Sequence, residues 1–179
     1  LRHHSQTDTV HPHADLTGDS YQLSQMAADV VRAKPVEHII FLGVHFMAET
    51  ADMLTPERVT VTLPDLSAGC SMADMAQEDD CFEAWDTIHE TLDAQGFRGR
   101  VIPITYVNSS AAIKAFVGAN GGACCTSSNA DLVFKWAAEG GEIPKSDKEE
   151  IKILFLPDQH LGRNTAHKFG IDVSKHAAL

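Results

Sequence analysis

Residues 101–110 read Val-Ile-Pro-Ile-Thr-Tyr-Val-Asn-Ser-Ser, and this stretch decides the fold. Val101–Val107 is a short apolar run rich in Val and Ile, the composition of a parallel strand buried on both faces. It then breaks into a polar loop, Tyr106-Val107-Asn108-Ser109-Ser110. Working outward, the same unit of apolar run, polar loop and helical segment recurs along the chain. The other runs are His38–Val44, Val59–Leu63, Ala123–Cys125 and Ile151–Leu156. Among the intervening segments, Leu23, Met26, Ala27, Val30 and Val31 follow the spacing of one apolar helix face. Phe82, Trp85, Ile88 and Leu92 form a second stripe, and Leu132, Val133, Trp136 and Ala137 a third. Strands alternating with helices imply an α/β fold with a mostly parallel sheet. The unit repeats in two blocks, roughly residues 1–70 and 71–179.

The connecting segments are read as follows. Gln77–Asp80 is an acidic run that suits a solvated helix start or loop. Gly118–Gly122 reads as a flexible insertion before a strand, and Gly140–Glu150 as a polar surface loop.

The 179 residues suffice for one or two domains with a sizeable core. They carry 25 acidic against 14 basic residues, a formal charge of −11. Such a chain has no general electrostatic reason to bind nucleic acid or an anionic membrane surface. An anionic ligand would have to be held by local donors against the overall field. No apolar run approaches the roughly 18 residues of a membrane span. The N-terminal Leu1-Arg2-His3-His4 lacks an apolar signal core. Because the chain starts on Leu rather than Met, residues upstream are to be expected. The four cysteines, Cys70, Cys81, Cys124 and Cys125, form no CxxC and no zinc-like spacing. An intracellular, reducing, cytoplasmic setting follows from that usage.

In parallel α/β sheets, ligands gather beyond the carboxyl ends of the strands, near helix N-termini. Five polar loops occupy those places here: Gly43–Glu49, Pro64–Ser71, Tyr106–Ser110, Thr126–Asn129 and Pro157–Asn164. Together they suggest a site for a small, polar, anionic ligand. Each also has a plainer reading. Asp19 or Ser20, Ser109, and Ser127, Ser128 or Asn129 suit helix N-caps. Tyr106 suits a packing residue with a bonded hydroxyl, and Cys70 a small buried hydrophobe. Against that, Gly69-Cys70 precedes a helix candidate, a position that favours thiolate. His45 and His160 each follow a strand and suit either a ligand-binding or a capping role. The two vicinal cysteines suit a structural role. No serine sits in a GxSxG elbow, which weakens a serine-hydrolase reading.

Taken in order, seven segments resemble the quinolinate synthase family: LRHHSQ, ADLTGDS, FLGVHFMAETADML, LPDLSAGCSMAD, YVNSSAAIKA, CCTSSNA and LFLPDQHLGRNTA. The resemblance implies three-layer α/β/α domains with short parallel sheets, arranged about a pseudo-threefold axis. It implies condensation of iminoaspartate with dihydroxyacetone phosphate to quinolinate, with loss of phosphate and water, in de novo NAD biosynthesis. It further implies a 4Fe–4S cluster held by three cysteines, whose open iron acts as a Lewis acid. Functional coupling to an L-aspartate oxidase or dehydrogenase is implied as well.

Carried over by residue, the resemblance makes Cys70 the first cluster ligand. It gives His3, Ser20, Val107, Asn108 and Ser127 to substrate binding. Tyr106 would position substrate and move protons as the catalytic residue. Two departures stand out. Ser5 replaces the family's usual tyrosine, removing an aromatic wall and a phenol. The segments that would supply two further cysteine ligands and a His-Pro-Glu motif have no counterpart in these residues. Two of the family's three domains are therefore expected, the first lacking its opening strand, with Leu1 as that strand's last residue. The rival expectation is a catalytically incomplete α/β module that binds small anions without a cluster.

Overall fold

A computed structural model describes residues 1–178. The chain divides into two compact units, Leu1–Ala73 and the chain from Asp74 onward. The first holds β1 (Arg2–His3), β2 (Thr17–Gly18), α1 (Ser20–Ala33), β3 (His38–Ile40), α2 (His45–Leu54) and β4 (Thr60–Thr62). The second holds α3 (Glu78–Ala94), β5 (Gly99–Tyr106), α4 (Ala111–Ala119), β6 (Ala123–Cys125), α5 (Ala130–Ala138), β7 (Glu150–Leu156), α6 (Gln159–Lys168) and α7 (Val173–His176). Every strand pairing among the described residues is parallel, so the α/β class holds. All five expected strands form; β1 and β2, two residues each, are additional.

In the first unit β1 pairs with β2, and β3 with β4. A parallel bridge from Arg2 to Leu42 joins the two pairs, with His3 N–H donating to the Leu42 carbonyl and Leu42 N–H to that of Leu1. The first strand therefore runs on through His3, two residues past the expected end at Leu1. Such short strands hold few ladder bonds, so the unit depends on its apolar core. Leu23, Ala27 and Val31 from α1 meet Phe46, Met47, Ala48 and Ala51 from α2 over Ile39, Phe41 and Val59.

In the second unit the strand order is β6-β5-β7, with Ile102 opposite Ile153 and Ile104 opposite Ala123. Ile102 and Ile104 pack with Phe134 and Ala137 of α5 and Ala166 of α6. A separate cluster joins Cys81 of α3 to Ile113, Phe116 and Val117 of α4, with Trp85 and Leu156 against it. Apolar clusters built from different helix pairs give the helix–sheet–helix layering of the α/β/α class.

Several expectations need correction. On α1 the buried face is Leu23, Ser24, Ala27, Ala28 and Val31, turned from the expected stripe because small residues face α2. On α5, Phe134 is the large buried residue and Leu132 is 71% exposed. On α3, Phe82 is largely exposed and touches Phe116 edge-on at 5.3 Å, while Cys81 is buried. Residues 118–122 are no insertion but the end of α4. Gly121 takes a φ of +72°, and the N–H groups of Gly121 and Gly122 donate to the carbonyls of Gly118 and Val117. That is a Schellman cap, which needs glycine at the left-handed position. The acidic run ending at Asp80 does start a helix, with Glu78, Asp79 and Asp80 in the first turn of α3. Negative charge there complements the helix dipole.

Candidate functional site

Each unit has its own carboxyl edge with polar residues at the strand ends. In the first, His3 ends β1 and lies in register with Gly18 at the end of β2. Asp19 and Ser20 follow directly, so His3 and the start of α1 share one edge. Asp19 is the N-cap, accepting from the Gln22 N–H at 2.8 Å, and Ser20 is the first helical residue. The His3 ring is held below its usual pKa, chiefly by desolvation, then by His4, with Arg2 acting the same way and Asp19 opposing. Arg2 itself is 4% exposed and donates through Nη2 to the Gln6 carbonyl at 2.6 Å.

The loop after β4 is built on an Asx-turn. The Asp65 carboxylate accepts from the Ser67 hydroxyl at 2.6 Å and from its N–H at 2.9 Å. Those two bonds hold the Asp65 carboxyl below the usual range, the hydroxyl first. The His45 N–H donates to the Ala68 carbonyl at 2.8 Å, tying this loop to the start of α2. Cys70 follows, half-buried at the margin of the core. The helix expected directly after Cys70 is not there. Ala73–Met75 is a single 3-10 turn, and α3 begins only at Glu78.

In the second unit Tyr106 ends β5, opposite Cys125 at the end of β6, and Thr105 lies opposite Leu156 of β7. Three loops therefore leave the same edge. Val107 is buried, with its N–H on the Cys125 carbonyl at 2.8 Å. Ser109 is not the helix cap. It is fully buried, its hydroxyl donating to the Tyr106 carbonyl at 2.8 Å and accepting from Thr105 Oγ1 at 2.9 Å. Ser110 caps α4 instead, accepting from Ile113 N–H. Lys114 Nζ reaches the Ser109 carbonyl. Tyr106 and Asn108 stand on either side of Val107 at this edge, and Lys114, on α4, ties that helix to the turn.

Beside it, Asn129 Oδ1 accepts from Thr126 N–H at 2.6 Å and from its hydroxyl at 3.1 Å. The exposed Ser127 stands on that loop. Asp158 caps α6 through the N–H groups of His160 and Leu161. His160 is therefore capped, not a cap. His45 is the first residue of α2, with Nε2 3.7 Å from Glu49 Oε1, and Val44 holds its cap position.

Desolvation raises the thiols of Cys81 and Cys124 and pushes Cys125 up to about 12. Among the described residues no group of three or more His, Cys, Asp or Glu could hold a metal ion. Cys70, on an edge loop, fits as one thiolate of a site whose other ligands are not in this group of residues.

A cavity of about 250 Å³ opens elsewhere, near the amino end of β5, lined by His89, Arg100, Asn120 and Glu142. The Arg100 guanidinium there is already engaged by Glu149 and by the carbonyls of Gly140 and Ile143. It pins the Gly140–Glu150 loop and has little left to offer a ligand, so the carboxyl edges remain the better candidates. Sequence reading missed this clamp, and it missed the contact between His3 and Ser5 (Oγ 2.7 Å from Nδ1). The His-x-Ser spacing before a turn was the one signal for it.

Fold and edges define a parallel-sheet α/β protein whose polar loops collect at the strands' carboxyl ends. A family model described as Quinolinate synthetase A protein matches residues 1–177. The quinolinate synthase of Herpetosiphon aurantiacus is 55% identical over 177 residues, 98% of this chain and 43% of that protein. The Bacillus velezensis quinolinate synthase is 53% identical over 175 residues, again 98% and 43%. That of Streptomyces coelicolor is 53% identical over 167 residues, 93% of this chain and 38% of the relative. The chain belongs to the quinolinate synthase family. It spans less than half the length of these relatives. Among the described residues no helix is long and apolar enough to cross a membrane.

Proposed function

We propose that these residues form two of the three α/β domains of a quinolinate synthase, which condenses iminoaspartate with dihydroxyacetone phosphate in NAD biosynthesis. The observation that carries this reading is the family match across residues 1–177, with the residues assigned by resemblance at strand ends, at a helix start or on the loops that follow. Within the first unit His3 and Ser20, and within the second Val107, Asn108 and Ser127, are each groups of the kind that bind carboxylate oxygens: imidazole, hydroxyl, amide and main chain. Local donors of this kind bind an anion without a basic surface, which suits a chain of charge −11. Tyr106, fixed at the end of β5, positions substrate and exchanges a proton through its phenol. Cys70 supplies one thiolate to a 4Fe–4S cluster. When bound, the cluster's open iron supplies Lewis acidity toward substrate oxygens and nitrogen. Coupling to an oxidase or dehydrogenase that makes iminoaspartate from aspartate, in the cytoplasm, belongs to the same reading.

The test is anaerobic iron and sulfide analysis with a visible spectrum on the protein expressed from its uninterrupted gene. About four irons per chain are expected, and Cys70→Ser should lose both the band and the synthase activity. A Cys70→Ser protein that keeps a 4Fe–4S spectrum overturns the assignment. One observation favours a second reading for these 179 residues by themselves. With no group of three metal-ligating side chains among the described residues, they would bind small anions at the same loops without a cluster.

A further inference from the structure

His3 and Ser5 form a local unit that the family resemblance does not supply. The Gln6 N–H donates to the His3 carbonyl at 3.1 Å, closing a turn over residues 3–6. That turn folds Ser5 back onto the ring. Ser5 Oγ lies 2.7 Å from His3 Nδ1, and the Ser5 N–H donates to the same nitrogen at 3.2 Å. A backbone N–H can only donate, so Nδ1 is the acceptor and carries no proton. The hydroxyl, facing an unprotonated nitrogen, donates as well. The ring proton therefore sits on Nε2, which has no hydrogen-bond partner among the described residues.

We propose that Ser5 is a positioning residue that holds His3 as the neutral Nε2–H tautomer, so that His3 meets its ligand as a hydrogen-bond donor. Protonating Nδ1 would cost the Ser5 N–H bond and force the hydroxyl to turn from donor to acceptor. Desolvation and the charges of His4 and Arg2 act in the same direction, against Asp19. A neutral N–H suits a carboxylate or carbonyl oxygen. The ligand-facing half of the inference rests on the substrate role proposed for His3; the tautomer does not.

The first test is long-range ¹H–¹⁵N correlation of the histidine rings in the 179-residue chain, with His3→Gln to assign the His3 signals. His3 should appear as Nε2–H. Ser5→Ala keeps the N–H contact but loses the shorter bond, so Nδ1–H should become populated and the His3 pKa should rise. Ser5→Thr should restore the pattern. A Nδ1–H signal in the unaltered chain, or an unchanged titration in Ser5→Ala, overturns the lock. The second test is steady-state kinetics on the full-length enzyme. Ser5→Ala should raise the KM for the dicarboxylate about threefold to tenfold with kcat little changed, the scale of one weakened hydrogen bond. A locked tautomer with an unchanged KM overturns the ligand-facing half, and the substrate role of His3 with it, while the lock stands.

Discussion

The two units solve one architectural problem by different means. The first builds its sheet from strands of two and three residues and relies on side chains packed between α1, α2 and the strands. The second carries an eight-residue β5 paired along its length with β7. Its edge turns are closed by buried polar contacts, such as Thr105 to Ser109 to the Tyr106 carbonyl. One unit leans on its apolar core, the other on a ladder and buried hydrogen bonds. They should therefore fail for different reasons.

The largest effect should come from Phe41→Ala. Phe41 is fully buried at the centre of the first unit's core, and removing such a ring costs about 3–5 kcal/mol. Few ladder bonds are present to compensate. Native-state hydrogen exchange should show protection lost at residues 38–62, while the amides of β5 and β7 keep theirs. Simultaneous loss in both regions would mean the units unfold as one, and a single unfolding free energy would describe them.

A middling effect separates the two edges. Ser109→Ala removes two short bonds of a buried hydroxyl and leaves the Thr105 hydroxyl only its longer 3.3 Å bond to the Tyr106 carbonyl, at about 1–3 kcal/mol. In the first unit, Asp19→Ala removes only the exposed cap bond to Gln22, about 1 kcal/mol. Urea unfolding of each variant should rank them in that order. The reverse ranking would show that the second unit's edge relaxes around the lost hydroxyl.

The same contrast explains what the sequence made legible. Four of the five expected strands announced themselves as runs rich in Ile, Val or Leu, and the edge loops followed from where the runs ended. Helix faces were harder, because a 3.6-residue period admits two neighbouring apolar stripes. On α1 the buried choice fell on Ser24 and Ala28 rather than Met26 and Val30, since packing against α2 rewards small side chains. Ser109 and Ser110 are indistinguishable by type, yet one is buried in the turn and the other caps α4. The His3–Ser5 contact depends on a turn closed by the main chain of Gln6, to which the His-x-Ser spacing is only a weak pointer. Residue types at strand ends were readable, whereas their pairwise geometry was not.

The smallest effect concerns the clamp at the opposite end of β5. Arg100 Nε lies 2.5 Å from Glu149 Oε1, and Arg100 also holds the carbonyls of Gly140 and Ile143. The guanidinium hydrogen bond, with help from the Ser146 N–H, keeps the Glu149 carboxyl below its usual range. A carboxyl depressed in the folded state contributes stability above its unfolded pKa of about 4.3, and that contribution is lost as pH falls through the folded value. Glu149→Gln should therefore weaken the second unit modestly at pH 7, and the gap to the unaltered chain should narrow as pH falls below the unfolded value. Both tryptophans, Trp85 and Trp136, lie beyond Asp74, so their fluorescence during urea unfolding reports on the second unit directly. A gap that persists undiminished at low pH would mean the loop is held by shape and main-chain bonds, with the Glu149 charge contributing nothing.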